Sequence, residues 1–234
     1  LIPPYSTVNS FLFFDGKQEL GLAEDRRHII AHTLKYPVYE FWRCVFEDPH
    51  RIAAIAETLF ADLKDENIFA ILQEQWPSYK DPYIRSALFF ILNRCSENGY
   101  ISIGKMDVSR YNPLSLAYLK RFKADKVELV WDREEDLTDT FRNLRKSEYL
   151  LFPVGKFNYN LFEYGKNKGY EMTTIHHQKL YEALQDVKER WIVIYKNHPR
   201  VHALYQNYNL ILLDKYGRET QEEDNCEELV IANF

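Results

Sequence analysis

Ser10-Phe-Leu-Phe-Phe14 is closed by Asp15-Gly16, and a second apolar run, His28-Ile-Ile-Ala31, follows it. Short apolar runs bounded by turn residues are typical of buried strands in a parallel sheet. We therefore predict two parallel strands that open an α/β domain. The Asp15-Gly16 pair also fits a hairpin-like turn, so this glycine has a structural explanation that involves no ligand.

Strand patterns return in the second half of the chain. They cover residues 126–131, 149–152, 191–195 and 210–213, with helical patterns over 136–144, 174–187 and 198–205 between them. Residues 228–233 are a plausible last strand beside its predecessor. Alternating strands and helices predict an α/β fold with a doubly wound, mainly parallel sheet.

Helical patterns separate the second predicted strand from the third. One helix starts at Pro37 and another at Pro49, which continues through Leu63, and both leave the sheet. Residues 66–122 stay helical apart from the Asn98-Gly99 turn and the segment after it. We predict an α/β domain made of residues 1–63 and 126–234, with a helical insert over residues 64–125.

Composition limits the class of protein. The 234 residues are 46% hydrophobic and 28% charged, as in globular chains with one sizeable core. We expect a cytoplasmic protein with no membrane contact, because there is no long apolar run and the first residues lack the order of a signal peptide. Cys44, Cys95 and Cys226 are far apart and form no CxxC pair, so we expect no metal and no disulfide framework.

Charge is unevenly distributed along the chain. The net charge of -5 argues against strong nonspecific attraction to a polyanion. Acidic residues concentrate in the tail from Glu219 to Glu228, whereas basic residues outnumber acidic ones between Arg85 and Lys126. Any contact with nucleic acid should fall in that basic stretch.

One motif in the basic stretch resembles a known family. Leu92-Asn93-Arg94, three residues, and then Asn98-Gly99 look like the helix end and turn of Dam-like DNA adenine-N6 methyltransferases. The order of strands and helices after residue 126, and Pro3-Pro4-Tyr5 before the first strand, are also similar to that family. The resemblance covers nearly the whole chain and implies a Rossmann-like methyltransferase fold. A helix end followed by a glycine turn would explain the motif equally well.

The resemblance implies a cofactor site for S-adenosylmethionine, but the chain departs from it. The family has a glycine-rich loop where this chain has Phe14, Asp15 and Gly16, and side chains there would occupy the cofactor's place. The family's second strand ends in an acid that holds the ribose, and His32-Thr33 stands there instead. Because Thr33 offers a neutral hydrogen bond and His32 is a common strand-end residue, we expect no cofactor.

The resemblance also implies an Asp-Pro-Pro-Tyr tetrapeptide that binds the target amine and stacks on the base. The corresponding residues here are Phe152, Pro153, Val154 and Gly155. Phe152 cannot accept a hydrogen bond and Gly155 cannot stack, so no confident catalytic residue remains. Ile2-Pro3-Pro4-Tyr5 is a poor substitute, because it precedes the first strand and lacks the acid.

Duplex DNA binding is the function that these departures leave intact. Arg94, Asn98 and Lys105 lie on the segment that faces DNA in the family, and Lys120, Arg121 and Lys123 add positive charge. Phosphate contacts need only such side chains. A solvated helix face would carry the same residues.

Three hypotheses follow. The first is an inactive methyltransferase homologue that binds double-stranded DNA, or a methyltransferase subunit or a second copy of itself. The second is an active adenine-N6 methyltransferase with divergent motifs, which would use S-adenosylmethionine and Asn197, His198 or Asp15 in place of the missing acid. The third is a structural or assembly protein that reuses the fold without nucleic acid.

Overall fold

A computed structural model describes residues 1–62, 65–99, 101–102, 104–132, 148–155 and 176–234. The predicted helix over 136–144 lies outside the described residues. The described residues form two compact units. The first unit contains residues 1–35 and the described residues from 124 onward, and the second unit contains Tyr36–Lys123.

The first unit is built on a seven-stranded sheet with the order β3-β2-β1-β4-β5-β7-β6. The strands are β1 (Thr7–Ser10), β2 (His28–Thr33), β3 (Val127–Trp131), β4 (Tyr149–Gly155), β5 (Arg190–Lys196), β6 (Asn209–Leu213) and β7 (Glu228–Ala232). Strands β1 to β5 pair in parallel, and β7 is antiparallel to both β5 and β6. The strand order and directions are those of a doubly wound, mainly parallel α/β sheet, so the predicted fold class is confirmed.

The first strand lies earlier in the chain than predicted, because β1 covers Thr7–Ser10 and shares only Ser10 with the predicted run. It stops at Ser10 because Leu12 takes a left-handed conformation with φ of 63°. The backbone N–H of Phe11 still donates to Leu151 at 2.8 Å, and that of Phe13 donates to His32 at 2.9 Å. The chain therefore turns off the sheet while its amides remain bonded to the two neighbouring strands.

Asp15-Gly16 does not form a hairpin. Gly16 has φ of 71° and precedes helix α1 (Lys17–Glu24), which leads into the parallel strand β2. The positive φ explains why a glycine is suited to this position. The predicted last strand is present as β7. It pairs with its predecessor β6 as expected, but it pairs with β5 as well and so separates the two.

One face of the sheet is covered by helices α7 (His177–Gln185) and α8 (Pro199–Leu204). Alternate strand residues point to this face, as a pleated strand requires. They form a core with Leu180 and Leu184 of α7 and Val201 of α8. The strand members of that core are Leu150, Phe152, Val154, Trp191, Val193, Tyr195, Leu229 and Ile231.

The second unit is helical. Its helices are α2 (Tyr36–Glu47), α3 (Pro49–Asp62), α4 (Glu66–Gln75), α5 (Pro82–Cys95) and α6 (Pro113–Lys120). Helix α5 is its centre: Phe89 stacks on Phe41 of α2 at 5.0 Å, and Arg85 Nε donates to Glu40 Oε1 at 2.7 Å. Helices α2 and α3 therefore group with the insert, and the described units divide at Tyr36 instead of at residue 64.

All three cysteines are buried and free. Among the described residues, no helix is both long enough and apolar enough to cross a membrane.

Candidate functional site

A cleft of about 210 Å³ lies in the first unit, at the carboxyl ends of β1, β4 and β5. We call it the β-end cleft. Open α/β sheets bind their ligands at the carboxyl ends of strands, so this is where a site is expected. Its lining residues are Leu12, Phe14, Asp15, Lys17, Gln18, Glu19, Pro153, Val154, Gly155, Ile194, Tyr195, Lys196 and Glu228.

The β-end cleft brings together two segments that the sequence analysis singled out. Phe14 and Asp15 come from the loop between β1 and α1, and Pro153, Val154 and Gly155 come from the end of β4. Asp15 is fixed by its own loop, because its Oδ1 accepts a hydrogen bond from the Lys17 amide at 3.0 Å. Gly16, which is buried, sets the left-handed turn before the helix.

Phe152 belongs to the core and is fully buried. Its ring stacks on Phe11 with centroids 5.0 Å apart, and Phe11 stacks on His32 at 4.7 Å. We call Phe152, Phe11 and His32 the ring stack. The three rings lie side by side across the sheet: Phe152 is in β4, Phe11 follows β1, and His32 is in β2. They are at one level because their preceding residues are in register, with Ser10 paired to both Leu151 and Ala31.

His32 is held on both sides of its ring. Its Nε2 lies 2.9 Å from Asn9 Oδ1, and its Nδ1 lies 3.0 Å from Asp132 Oδ2. Only 7% of the residue is exposed. These contacts join the ends of β1, β2 and β3, which gives His32 a structural role in the sheet.

Thr33 is buried, and its hydroxyl is used locally. Its Oγ1 accepts a hydrogen bond from the Lys35 amide at 3.2 Å, and its carbonyl accepts one from the Asp132 amide at 3.0 Å. The structure thus places Thr33 at the end of β2, as predicted, but apart from the residues that line the β-end cleft.

Glu19 is the cleft residue that sequence reasoning missed. It lies in the first turn of α1, is 2% exposed, and accepts a hydrogen bond from Ser10 Oγ on Oε1 at 2.6 Å. Burial raises the pKa of the Glu19 carboxyl from 4.5 to about 7, because the charged form loses hydration. The available signal was weak: Glu19 and Ala23, four residues apart, are the buried positions of α1.

The two lysines of the β-end cleft, Lys17 and Lys196, pair with Glu228 and not with Glu19. Lys196 Nζ lies 3.0 Å from Glu228 Oε1 and 3.2 Å from Glu227 Oε1, and Lys17 Nζ lies 3.9 Å from Glu228 Oε1. Glu228 therefore faces two cations, one of which, Lys196, also pairs with Glu227. In the part of the chain that the structure describes, no three His, Cys, Asp or Glu side chains are grouped as metal ligands.

Asn197 and His198 are two of the three residues that could stand in place of the missing acid, and both have structural contacts. Asn197 Nδ2 donates to the carbonyls of Glu223 and Cys226 at 3.2 and 3.1 Å. His198 Nδ1 accepts from the Arg200 amide at 3.2 Å and caps α8. Of the three candidates, Asp15 is the one that lines the β-end cleft.

The predicted DNA-contacting residues lie on two segments of the second unit. Arg94 and Lys105 are exposed and flank a short antiparallel pairing, in which the Glu97 amide donates to the Lys105 carbonyl at 2.8 Å. Asn98 is in the adjoining turn Glu97–Gly99, and its side chain lies outside the described residues.

Lys120, Arg121 and Lys123 lie at and after the end of α6. Arg121 and Lys123 are exposed, whereas Lys120 Nζ lies 2.9 Å from Glu57 Oε2. Part of the positive charge of Lys120 is thus already compensated within the second unit.

No protein-family model matches this chain. No curated protein matches it either. Among solved structures it is similar to an rRNA methylase from Streptococcus thermophilus, with 11% sequence identity, a TM-score of 0.35, and coverage of 98% of this chain and 87% of that chain.

Proposed function

We propose that this chain is a homologue of Dam-like DNA adenine-N6 methyltransferases that binds double-stranded DNA and does not transfer methyl groups. The observation that carries the proposal is the complete burial of Phe152 in the middle of β4. In the family this position holds the carboxylate that accepts hydrogen bonds from the target amine. A phenyl ring packed in a core supplies no such acceptor.

The cofactor side of the site supports the same conclusion. Phe14 and Asp15 occupy the loop in which the family carries glycines, and the Thr33 hydroxyl is engaged with the Lys35 amide. A ribose would have to compete with that local hydrogen bond and would meet no carboxylate at this position. We therefore expect S-adenosylmethionine to bind weakly or not at all.

The DNA contact is assigned to the exposed basic side chains of the second unit. Arg94 and Lys105 flank one short pairing, and Arg121 and Lys123 follow α6. Such residues bind phosphates with no need for a base-reading motif. Because the whole chain has a net charge of -5, the binding should be modest and strongly dependent on salt.

Calorimetric titration with S-adenosylmethionine at near-physiological salt tests the loss of methyl transfer. We expect no heat of binding, and no incorporation of labelled methyl groups into DNA. Micromolar binding together with methyl incorporation would refute the proposal.

Fluorescence anisotropy with a short duplex at several salt concentrations tests the DNA contact. The double variant R94A/K105A should bind more weakly and lower the salt slope by roughly one per lost phosphate contact. K215A, which removes an exposed lysine of the first unit, is the matched control and should leave both quantities unchanged. If the duplex does not bind at low salt, the ligand is a protein partner or a second copy, and the DNA proposal is wrong.

An active enzyme is the second candidate, and the β-end cleft is the observation that favours it. Asp15 and Glu19 both line the β-end cleft, and residues at the positions of the family's motifs line the same cleft. The variant D15N/E19Q distinguishes the two candidates: an active enzyme would lose labelled methyl transfer, whereas a binding protein has none to lose.

A further inference from the structure

We propose that the β-end cleft is a binding site for a small organic monocation, an ammonium or amidinium group on an apolar body, with the Glu19 carboxylate as its partner. This site is separate from the DNA contact of the second unit. Four features of Glu19 and of the cleft support it.

The first observation is the position of Glu19. Glu19 lines the β-end cleft, and the residue is 2% exposed. Ser10 Oγ donates to Oε1 at 2.6 Å and fixes the orientation of the carboxyl. Ser10 is itself fully buried, so this orientation is set by the packing of α1 on β1.

The second observation is the charge around Glu19. The titratable groups that share the cleft are Asp15 from the loop, Lys17 from α1, Tyr195 and Lys196 from β5, and Glu228 from β7. Lys17 and Lys196 both pair with Glu228, and Asp15 raises the pKa of Glu19 by repulsion, after the larger effect of burial. An anionic ligand would meet Asp15 and Glu19, whereas a cation would be attracted by both.

The third feature is the pKa of Glu19, which burial raises to about 7. Its pKa of about 7 means that the carboxyl holds a proton for about half the time at neutral pH. A cation that enters the cleft favours the ionised form, and the proton leaves to solvent. Binding should therefore release protons when the pH is below 7.

The fourth observation concerns the size and walls of the cleft. A volume of about 210 Å³ is small for a ligand site and suits a molecule of fragment size. Leu12, Phe14, Pro153 and Ile194 give the walls apolar surface. A flat or compact apolar body with one cationic group matches this combination of walls and carboxyl.

Benzylammonium is a suitable probe, with benzyl alcohol and benzoate as neutral and anionic analogues of the same shape. We expect saturable shifts of amide NMR signals from Leu12, Glu19 and Val154 with benzylammonium, and at least tenfold weaker binding of the two analogues. The variant E19Q keeps an acceptor for Ser10 but cannot ionise, and it should weaken benzylammonium binding at least tenfold. E24Q, at the exposed end of the same helix, should bind as the unchanged protein does.

The pH dependence provides a test that needs no variant. Affinity for benzylammonium should rise about tenfold per pH unit below pH 7 and level off above it, since Glu19 must ionise. Equal binding of the three probes, an E19Q variant that binds normally, a flat pH profile, or no saturable shifts would each overturn the proposal. If E19Q does not fold, the pH profile of the unchanged protein decides. DNA binding is measured separately, so its failure would leave this result unaffected.

Discussion

The two faces of the sheet near the carboxyl ends of β1 and β4 hold opposite kinds of side chain. On one face the ring stack of Phe152, Phe11 and His32 belongs to or borders the packed core. On the other face Ser10 holds the buried carboxyl of Glu19. Adjacent residues Ser10 and Phe11 separate the two, because side chains alternate between faces. A closed aromatic core on one face of the sheet thus coexists with a buried carboxyl on the other face.

The ring stack should tolerate no charge. We expect F152D to lower the free energy of unfolding by more than about 4 kcal/mol, because an ionised carboxylate would be buried among apolar groups. F152L, the matched apolar control, should cost about 1 kcal/mol. Urea denaturation of both variants measures the difference. An F152D protein as stable as the original would show that position 152 is not in a closed core.

The carboxyl face should respond to pH. In the folded protein Glu19 has a pKa of about 7, raised from 4.5, so the folded state holds a proton that the unfolded state releases between these values. Stability contributed by Glu19 is therefore full below pH 4.5 and is lost as the pH rises through 7, by roughly 3 kcal/mol.

E19Q is the reference for this measurement, since it cannot titrate. The difference in unfolding free energy between the two proteins should change in favour of E19Q from pH 4.5 to pH 7.5. A difference that stays constant across this range would mean that Glu19 titrates normally and is not buried as described.

Removal of the Ser10 hydroxyl should have a smaller effect. S10A deprives a buried carboxyl of its donor, and we expect a loss of about 1–2 kcal/mol near pH 7. The hydrogen bond lowers the pKa of Glu19, so its loss should raise that pKa further. S10T keeps a hydroxyl and should recover part of the stability, and NMR titration of the Glu19 carboxyl carbon checks the pKa in both variants.

The exposed ion pair at the rim of the cleft should matter least. Lys17 lies 3.9 Å from Glu228 with 71% of its side chain exposed, so K17A should change the stability by less than about 0.5 kcal/mol. A thermal melt is sufficient to test this. A large loss of stability would mean that the Lys17–Glu228 pair is a structural contact, and the two faces would then differ less than described.

Local sequence predicted most of the sheet, because apolar runs such as those of β4 and β5 are interrupted by turn residues. It did not predict α1, whose short sequence includes Gly21 and the buried Glu19 and so breaks the apolar period. The insertion of β7 between β5 and β6 depends on pairing between residues far apart in the chain, which no local pattern contains.

Part of the β-end cleft is lined by residues that the sequence analysis singled out, namely Phe14, Asp15 and residues 153–155. Their part in binding or catalysis stays a prediction. Thr33, Asn197 and His198 satisfy local backbone groups instead, which depends on geometry that the residue types alone do not fix. The importance of Glu19 arises from burial by tertiary packing, and a glutamate in a helix is usually on the surface.

The antiparallel strand β7 also governs the order in which the sheet can be completed. Until residues 228–232 pair, β5 has an open edge, and β6, whose partner in the described sheet is β7, is not hydrogen-bonded to the sheet. A chain in which β7 has not yet docked would therefore present the open edge of β5 and an unpaired β6. Such edges are sites of aggregation, so prompt arrival of β7 protects the nascent protein as well as finishing its fold.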